Sequence, residues 1–201
     1  MTDGSSFIRI MGQRVLLRDP LPADALWDFR WGTVETAWQD WDAPWEGAAI
    51  TPIEQLSAED IVQRLQRGFA RFAEPGPIPR NYLRVDRIGG PPLGWVNSYH
   101  HDPEARVTWA GVSICESAYW GQGLGTEAFR LWIGCLFTHL DLAEVRTATW
   151  SGNARMIRVA EKCGFTLINR IPRNREVRGE WYDGLTFQLT RERWERTRGR
   201  P

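Results

Sequence analysis

A single mixed α/β domain is predicted for this chain, and three observations predict it. Strand-like and helix-like runs interleave in the order β-α-α-β-β-β-α-β-α-β-β. A glycine-rich turn, Gly121 to Gly125, joins a three-strand meander to the most regular helical pattern in the sequence. No repeat or linker divides the 201 residues, a length sufficient for one full hydrophobic core. The expected domain therefore spans 1–201, with about 191–201 as an Arg-rich solvated tail.

Arg14-Val15-Leu16-Leu17-Arg18 reads as a short strand closed by Asp19-Pro20. A helix follows from Pro22, with Ala25, Leu26 and Phe29 as its apolar face. The stretch from Trp31 to Pro52 is irregular and carries Trp31, Trp38, Trp41 and Trp45. Ser57-Ala58-Glu59-Asp60 is a capping-box variant with Asp where Glu or Gln is usual. It opens a helix to about Phe72, with Ile61, Leu65, Phe69 and Phe72 on one side, and Ala73 to Pro79 breaks it. Strands are expected at Tyr82–Arg87, Leu93–Tyr99 and Arg106–Ile114, separated by the turns at Gly89-Gly90-Pro91-Pro92 and His101-Asp102-Pro103. Leu124, Ala128, Leu131, Cys135 and Leu136 then fall at helical spacing. A strand at Val145–Trp150 precedes a helix from Asn153 to Cys163, ended by Gly164. Strands around Phe165–Ile171 and Trp181–Leu189 complete the pattern.

Composition narrows the function. Formal charge is zero, which lacks the basic surplus that phosphate neutralisation needs, so nucleic acid is not the expected partner. No apolar run approaches the roughly 20 residues that span a bilayer, and the first residues lack the apolar core of a signal peptide. The cysteines Cys115, Cys135 and Cys163 are odd in number and widely spaced, so neither a disulfide framework nor a metal site is expected. A cytoplasmic protein with reduced thiols fits these features.

The chemistry concentrates in Gly121-Gln122-Gly123-Leu124-Gly125-Thr126. Glycines between a strand and a helix allow positive φ and close backbone approach, so successive N–H groups converge on an anion. The helix behind adds its unpaired first-turn amides and the positive end of its dipole. A phosphate or pyrophosphate site follows, although a tight strand-to-helix turn would use the same glycines. A nucleotide-hydrolase loop would need Lys-Ser/Thr after the last glycine, where Thr126-Glu127 stands. A dinucleotide-binding loop follows the first strand of a parallel sheet, whereas these glycines follow antiparallel-looking strands.

Gly111-Val112-Ser113-Ile114 followed by Tyr119-Trp120-Gly121-Gln122-Gly123-Leu124-Gly125-Thr126-Glu127-Ala128 resembles the strand-loop-helix of GNAT acetyltransferases. More narrowly, it resembles the branch holding ribosomal-protein N-terminal and polyamine acetyltransferases. Asn153, Ile157-Arg158 and Glu161-Lys162-Cys163-Gly164-Phe165 are similar to that family's penultimate helix. Gly179 to Asp183, Leu189 to Trp194 and the opening Gly12 to Arg18 fit its last hairpin and first strand. The resemblance implies a twisted, mostly antiparallel sheet of about seven strands, helices on both faces and splayed fourth and fifth strands. It implies acetyl-CoA as co-substrate, an amine acceptor (a protein N-terminus or a small molecule) and, as an option, a homodimer. Pantetheine would bond the backbone of Val112, Ser113 and Ile114. The pyrophosphate would sit on the amides of Gln122, Gly123, Leu124, Gly125 and Thr126. Asn153 resembles the family asparagine that bonds the pantetheine arm, and it is also placed to cap the following helix.

Catalytic positions depart from the family pattern. Ala160 stands where a tyrosine often serves as general acid, Met156 where a related branch has serine, and Trp109 and Ala110 where a strand carboxylate is frequent. A thiolate is a modest base and can leave with help from water. An α-amine, with pKa about 8, needs less assistance than a lysine amine at about 10.4, so an α-amine or another low-pKa amine suits the site better. A non-catalytic or weakly catalytic CoA-binding module is the alternative. His100 and His101 end a strand, and His100 is a candidate base or an ordinary surface histidine. Asp183 matches the family's acceptor-side hairpin position, and a turn-solvating carboxylate is its plainer reading. Glu180, Tyr99 and Tyr119 are weaker candidates. Trp31, Trp38, Trp41 and Trp45 fall where relatives build the acceptor pocket, and their faces suit a cation or simple packing.

Overall fold

The computed structural model describes residues 7–44, 53–71 and 80–197. Its strands are β1 (Arg9–Met11), β2 (Val15–Arg18), β3 (Tyr82–Arg87), β4 (Pro92–Asp102), β5 (Val107–Ile114), β6 (Glu144–Trp150), β7 (Thr166–Val177) and β8 (Glu180–Thr190). They form one sheet in the order β1-β2-β3-β4-β5-β6-β8-β7. Every pairing is antiparallel except β5 with β6. The helices are α1 (Ala25–Thr33), α2 (Ala58–Arg71), α3 (Leu124–His139), α4 (Ala154–Lys162) and α5 (Arg191–Thr197).

Strand alternation puts two different layers on the two faces. Leu83, Val85 and Val96 join Phe129, Trp132, Ile133 and Phe137 of α3 in the main core. Arg84, between Leu83 and Val85, must point the other way. It is fully buried there, donating from Nη1 to Asp28 Oδ1 of α1 at 2.8 Å and stacking over Trp31 at 5.1 Å. On that second face α2 crosses α1 closely, since a Cβ at Gly68 would stand 2.7 Å from the Ala25 Cβ.

Four sequence expectations change. β1 adds an eighth strand, because Arg9–Met11 pairs with Leu16–Arg18 at the sheet edge. The apolar face of α1 is Ala25 and Trp31, with Leu26 turned outward, because Trp31 drops onto Trp95 of the sheet at 5.9 Å. In α3 Leu124, Ala128 and Leu136 are buried as read, Phe129, Trp132, Ile133 and Phe137 join them, and Leu131 and Cys135 lie at the margin. Residues 191–197, expected as solvated tail, form α5. Arg191 donates to the carbonyls of Phe137, Leu140 and Leu142, and Trp194 stacks on Phe137 at 4.9 Å. The capping box opens α2 as read, with the Ser57 Oγ donating to Asp60 at 2.6 Å and accepting from the Asp60 amide. Phe72, the Ala73–Pro79 breaker and Trp45 lie outside the described residues. No described helix is long and apolar enough to cross a membrane.

Candidate active site

The parallel pairing of β5 with β6 runs only through Val107–Glu144, Thr108–Val145 and Trp109–Arg146. Beyond it the strands part, and among the described residues 110–114 keep only β4 as a strand partner. A strand directs its backbone groups alternately to both sides, so those facing the gap have no ladder to join. A cleft of about 970 Å³ opens there. Val112, Ser113 and Ile114, the expected pantetheine strand, all line it.

Residue parity assigns two chemistries to the two faces of this gap. Ile114 points toward α3, since a Cβ on Gly125 would come within 3.2 Å of its Cγ1. Ser113 points the opposite way, its Oγ donating to Asp42 Oδ2 at 3.4 Å. The parting of the strands is where molecules bound on the two faces can meet.

On the α3 face lies the glycine loop. Gly121 and Gly123 have φ of +75° and +81°, a region that costs an L side chain about 1 kcal/mol. The first α3 hydrogen bond runs from the Glu127 amide to the Gly123 carbonyl at 3.1 Å, so the amides of Leu124, Gly125 and Thr126 have no partner within the helix. Gly123, Leu124, Gly125 and Thr126 line the cleft, while Gln122 turns away. Its side chain donates to the Ala118 carbonyl, and its own carbonyl accepts from Arg14 Nη1 at 2.8 Å. Trp120 Nε1 donates to the Ile114 carbonyl at 2.7 Å and ties the loop to β5.

Glu127 holds the loop from behind, a role that no local pattern indicates. Its carboxylate accepts from the amides of Gln13, Arg14 and Val15 and from Arg14 Nε. Burial by itself would raise its pKa, but the bonds from Arg14, Val15 and Gln13 outweigh it and hold the group below the ordinary glutamate value.

Asn153 is buried at the cleft wall, where its Oδ1 accepts from the Met156 amide at 2.9 Å and caps α4. Its Nδ2 donates to the Trp41 carbonyl at 2.8 Å, and Trp150 Nε1 donates to the same oxygen at 3.0 Å. The segment carrying Trp41 is thus anchored on α4 and β6. Arg155 reinforces the join, its guanidinium lying 4.3 Å from the ring centre of Trp41 and 4.0 Å from that of Trp120. Helical spacing could not have brought these rings together, because they come from three separate segments.

The remaining expected residues are distributed as follows. His100 lines the cleft at its rim, with φ of +48° and its ring 5.2 Å from Tyr99. Asp183 turns to β7, accepting from the Arg173 amide at 3.0 Å and from Arg170 Nε at 2.5 Å. These two bonds lower its pKa, so it is a weak base that fixes the hairpin. Glu180 accepts from the Tyr182 hydroxyl. Tyr99 and Tyr119 both line the cleft, as do Trp38 and Trp41, whereas Trp31 is core. Ala160 is fully buried, and Met156 and Trp109 face the cleft.

Comparison with known proteins bears on the family and the fold. The family model of the GNAT acetyltransferase domain matches residues 14–166. The SPbeta prophage-derived uncharacterized N-acetyltransferase YokL of Bacillus subtilis is 32% identical over 81 residues, 40% of this chain and 46% of that protein. The match therefore spans under half the length of that relative. A GNAT-family acetyltransferase structure from Bacillus anthracis superposes with a TM-score of 0.68 at 17% identity, covering 92% of this chain and 99% of that one. The spermidine N-acetyltransferase of Vibrio cholerae, solved with CoA and spermine, gives 0.67 at 13% identity over 92% and 99%. The ribosomal L7/L12 α-N-protein acetyltransferase RimL, solved with coenzyme A, gives 0.65 at 11% over 92% and 98%. At these identities the structural likeness is one of fold, and it is the family model, matching most of the chain, that places this protein in the GNAT acetyltransferase family.

Proposed function

We propose that this chain transfers an acyl group, acetyl by default, from acyl-CoA to a primary amine by direct attack in a ternary complex. The observation that carries the reading is the parting of β5 from β6 directly beside the unpaired first-turn amides of α3. The residues present fit the co-substrate. Gly123, Leu124, Gly125 and Thr126 offer amides to the pyrophosphate, and the gap-facing backbone of residues 112–114 offers a ladder to pantetheine. Asn153 Nδ2 carries a second hydrogen beyond the one given to Trp41, and that hydrogen serves the pantetheine arm. CoA in the solved spermidine and ribosomal-protein acetyltransferases supports the same donor here.

In the reaction the amine lone pair forms a bond to the thioester carbonyl carbon. The carbon–sulfur bond breaks, sulfur leaves with the electron pair and takes up a proton, and the amine sheds one. Strand amides polarise the carbonyl oxygen. His100, at the cleft rim, receives the amine proton through water. Asp183 does not take this role, because its ion pair keeps it a poor acceptor of protons.

Calorimetric titration with acetyl-CoA tests the donor site, and thiol release against an amine panel tests turnover. Micromolar binding, weakened at least about 100-fold by Gly125→Glu, is the expected result. A folded protein with no heat of binding sinks the proposal. Binding without turnover of any amine leaves the CoA-binding module in its place.

A further inference from the structure

The acceptor side of the cleft has a specific floor. β4 and β5 pair Trp95 with Ser113, Asn97 with Gly111 and Tyr99 with Trp109. Paired residues of an antiparallel ladder share a face, and residues two apart on one strand share it too. These six positions therefore form a two-row surface on the face where Ser113 meets Asp42. All six line the cleft.

The surface has an aromatic end, a polar middle and a second aromatic end. At one end Trp38 stands edge-on to Trp95 at 5.1 Å. At the other Tyr99 stacks on Trp109 at 6.3 Å and 28°. Between them Gly111 has no side chain, and the Asn97 carbonyl oxygen lies where its Cβ would be, 2.6 Å away. Glycine at this point makes room for the Asn97 side-chain amide, a polar patch that alanine would displace. Asp42 lies beside this patch, its carboxylate accepting from the Ser113 Oγ. Burial, aided by the charge of Asp42, raises the Tyr99 pKa, so the phenol keeps its proton and its ring stays neutral.

We infer that this floor selects a primary amine carried on a single flat aromatic body, with the ammonium in the polar middle at Asn97 and Asp42 and the ring at the Trp109 end. The inference rests on the acyltransfer reading and names the acceptor class for it. Aromatic rings attract both a ring stacked on them and a cation above them, and a carboxylate attracts an ammonium. An extended polyamine has no ring to stack on Trp109 and forgoes that contact.

The test uses the full chain saturated with CoA, titrated with 2-phenylethylamine, n-butylamine, spermidine and an Ala-Ser peptide, alongside acetyl-CoA turnover with each. Phenylethylamine should bind and turn over at least about 10-fold better than the other three, a margin matching one or two good aromatic contacts. Trp109→Leu, which keeps apolar volume, should reduce that preference about 5-fold while leaving acetyl-CoA affinity unchanged. Asp42→Asn should raise KM for phenylethylamine more than it lowers kcat. Equal or better use of spermidine, butylamine or the peptide overturns the acceptor assignment and leaves acyltransfer standing. Failure of phenylethylamine to bind the CoA-loaded protein overturns it whatever the turnover. Failure of acetyl-CoA to bind removes both readings.

Discussion

Asn153 is the residue at which the two halves of the site are joined. Its oxygen caps α4 and its nitrogen holds the Trp41 carbonyl, so Asn153→Ala loses a cap of about 1 kcal/mol and also frees the segment carrying Trp41. Asn153→Asp keeps the cap but cannot donate to Trp41. The expected outcome is that Asp restores thermal stability relative to Ala while KM for the amine stays raised; equal KM for both the Asp variant and the parent would reduce Asn153 to a helix cap. Glu127 gives a pH prediction. Its folded pKa lies below the unfolded value, so its contribution is complete above about pH 4.5 and is lost as pH falls through the folded pKa. Glu127→Gln should lower stability at neutral pH and flatten the acid limb of unfolding followed by tryptophan fluorescence. An unchanged acid limb would mean the Arg14–Glu127 bonds do not persist in solution. His100→Gln should lower kcat near neutral pH with acetyl-CoA affinity unchanged, and a kcat equal to the parent's would remove His100 from proton transfer.

At the scale of elements, α5 and the α1–α2 crossing differ most from their reading in the sequence. Arg191 satisfies three carbonyls around the end of α3, among them Phe137 and Leu140, which the helix itself leaves without intrahelical donors. Arg191→Ala should cost about 2 kcal/mol, since hydrogen bonds to a charged group are worth more than neutral ones. Urea unfolding measures this, and a change below about 0.5 kcal/mol would return residues 191–197 to the status of a tail. Gly68 permits α2 to touch Ala25, and Gly68→Val should push the helices apart and destabilise the α1–α2 layer before the α3 core. Hydrogen exchange would show that loss confined to α1 and α2.

For the whole molecule, the two faces of the sheet are stabilised by different forces. The α3 face is an apolar core of Leu, Val, Phe and Trp side chains. The α1 face is built around charges: Arg18 pairs with Asp24 and Asp86, and Arg84 with Asp24 and Asp28. Burial would raise Asp24, but the bonds from Arg18 and the Leu21 amide and the charge of Arg84 outweigh it and lower its pKa. Removing one partner of such a set leaves the others buried without compensation. Asp24→Asn should therefore cost about 3 kcal/mol, or a fall in Tm of about 10 °C, measured by calorimetry.

Periodicity and turn chemistry determined the element order, because each depends on residues close together in the chain. Alternation located β3, β4 and β5, glycine at Gly164 ended α4, and Ser57 with Asp60 opened α2. The glycine loop was legible for the same reason, since positive φ and free amides are local properties. Only tertiary structure decided which face each side chain serves and what it meets there. The Arg155 stack, the Glu127 clamp on Arg14 and the Asn97–Gly111 contact each join segments apart in sequence. Asp183 shows the limit from the other direction. Its position in the hairpin was correctly read, yet its partner is Arg170 across the β7–β8 pair, and cross-strand register, which no local pattern encodes, set that choice.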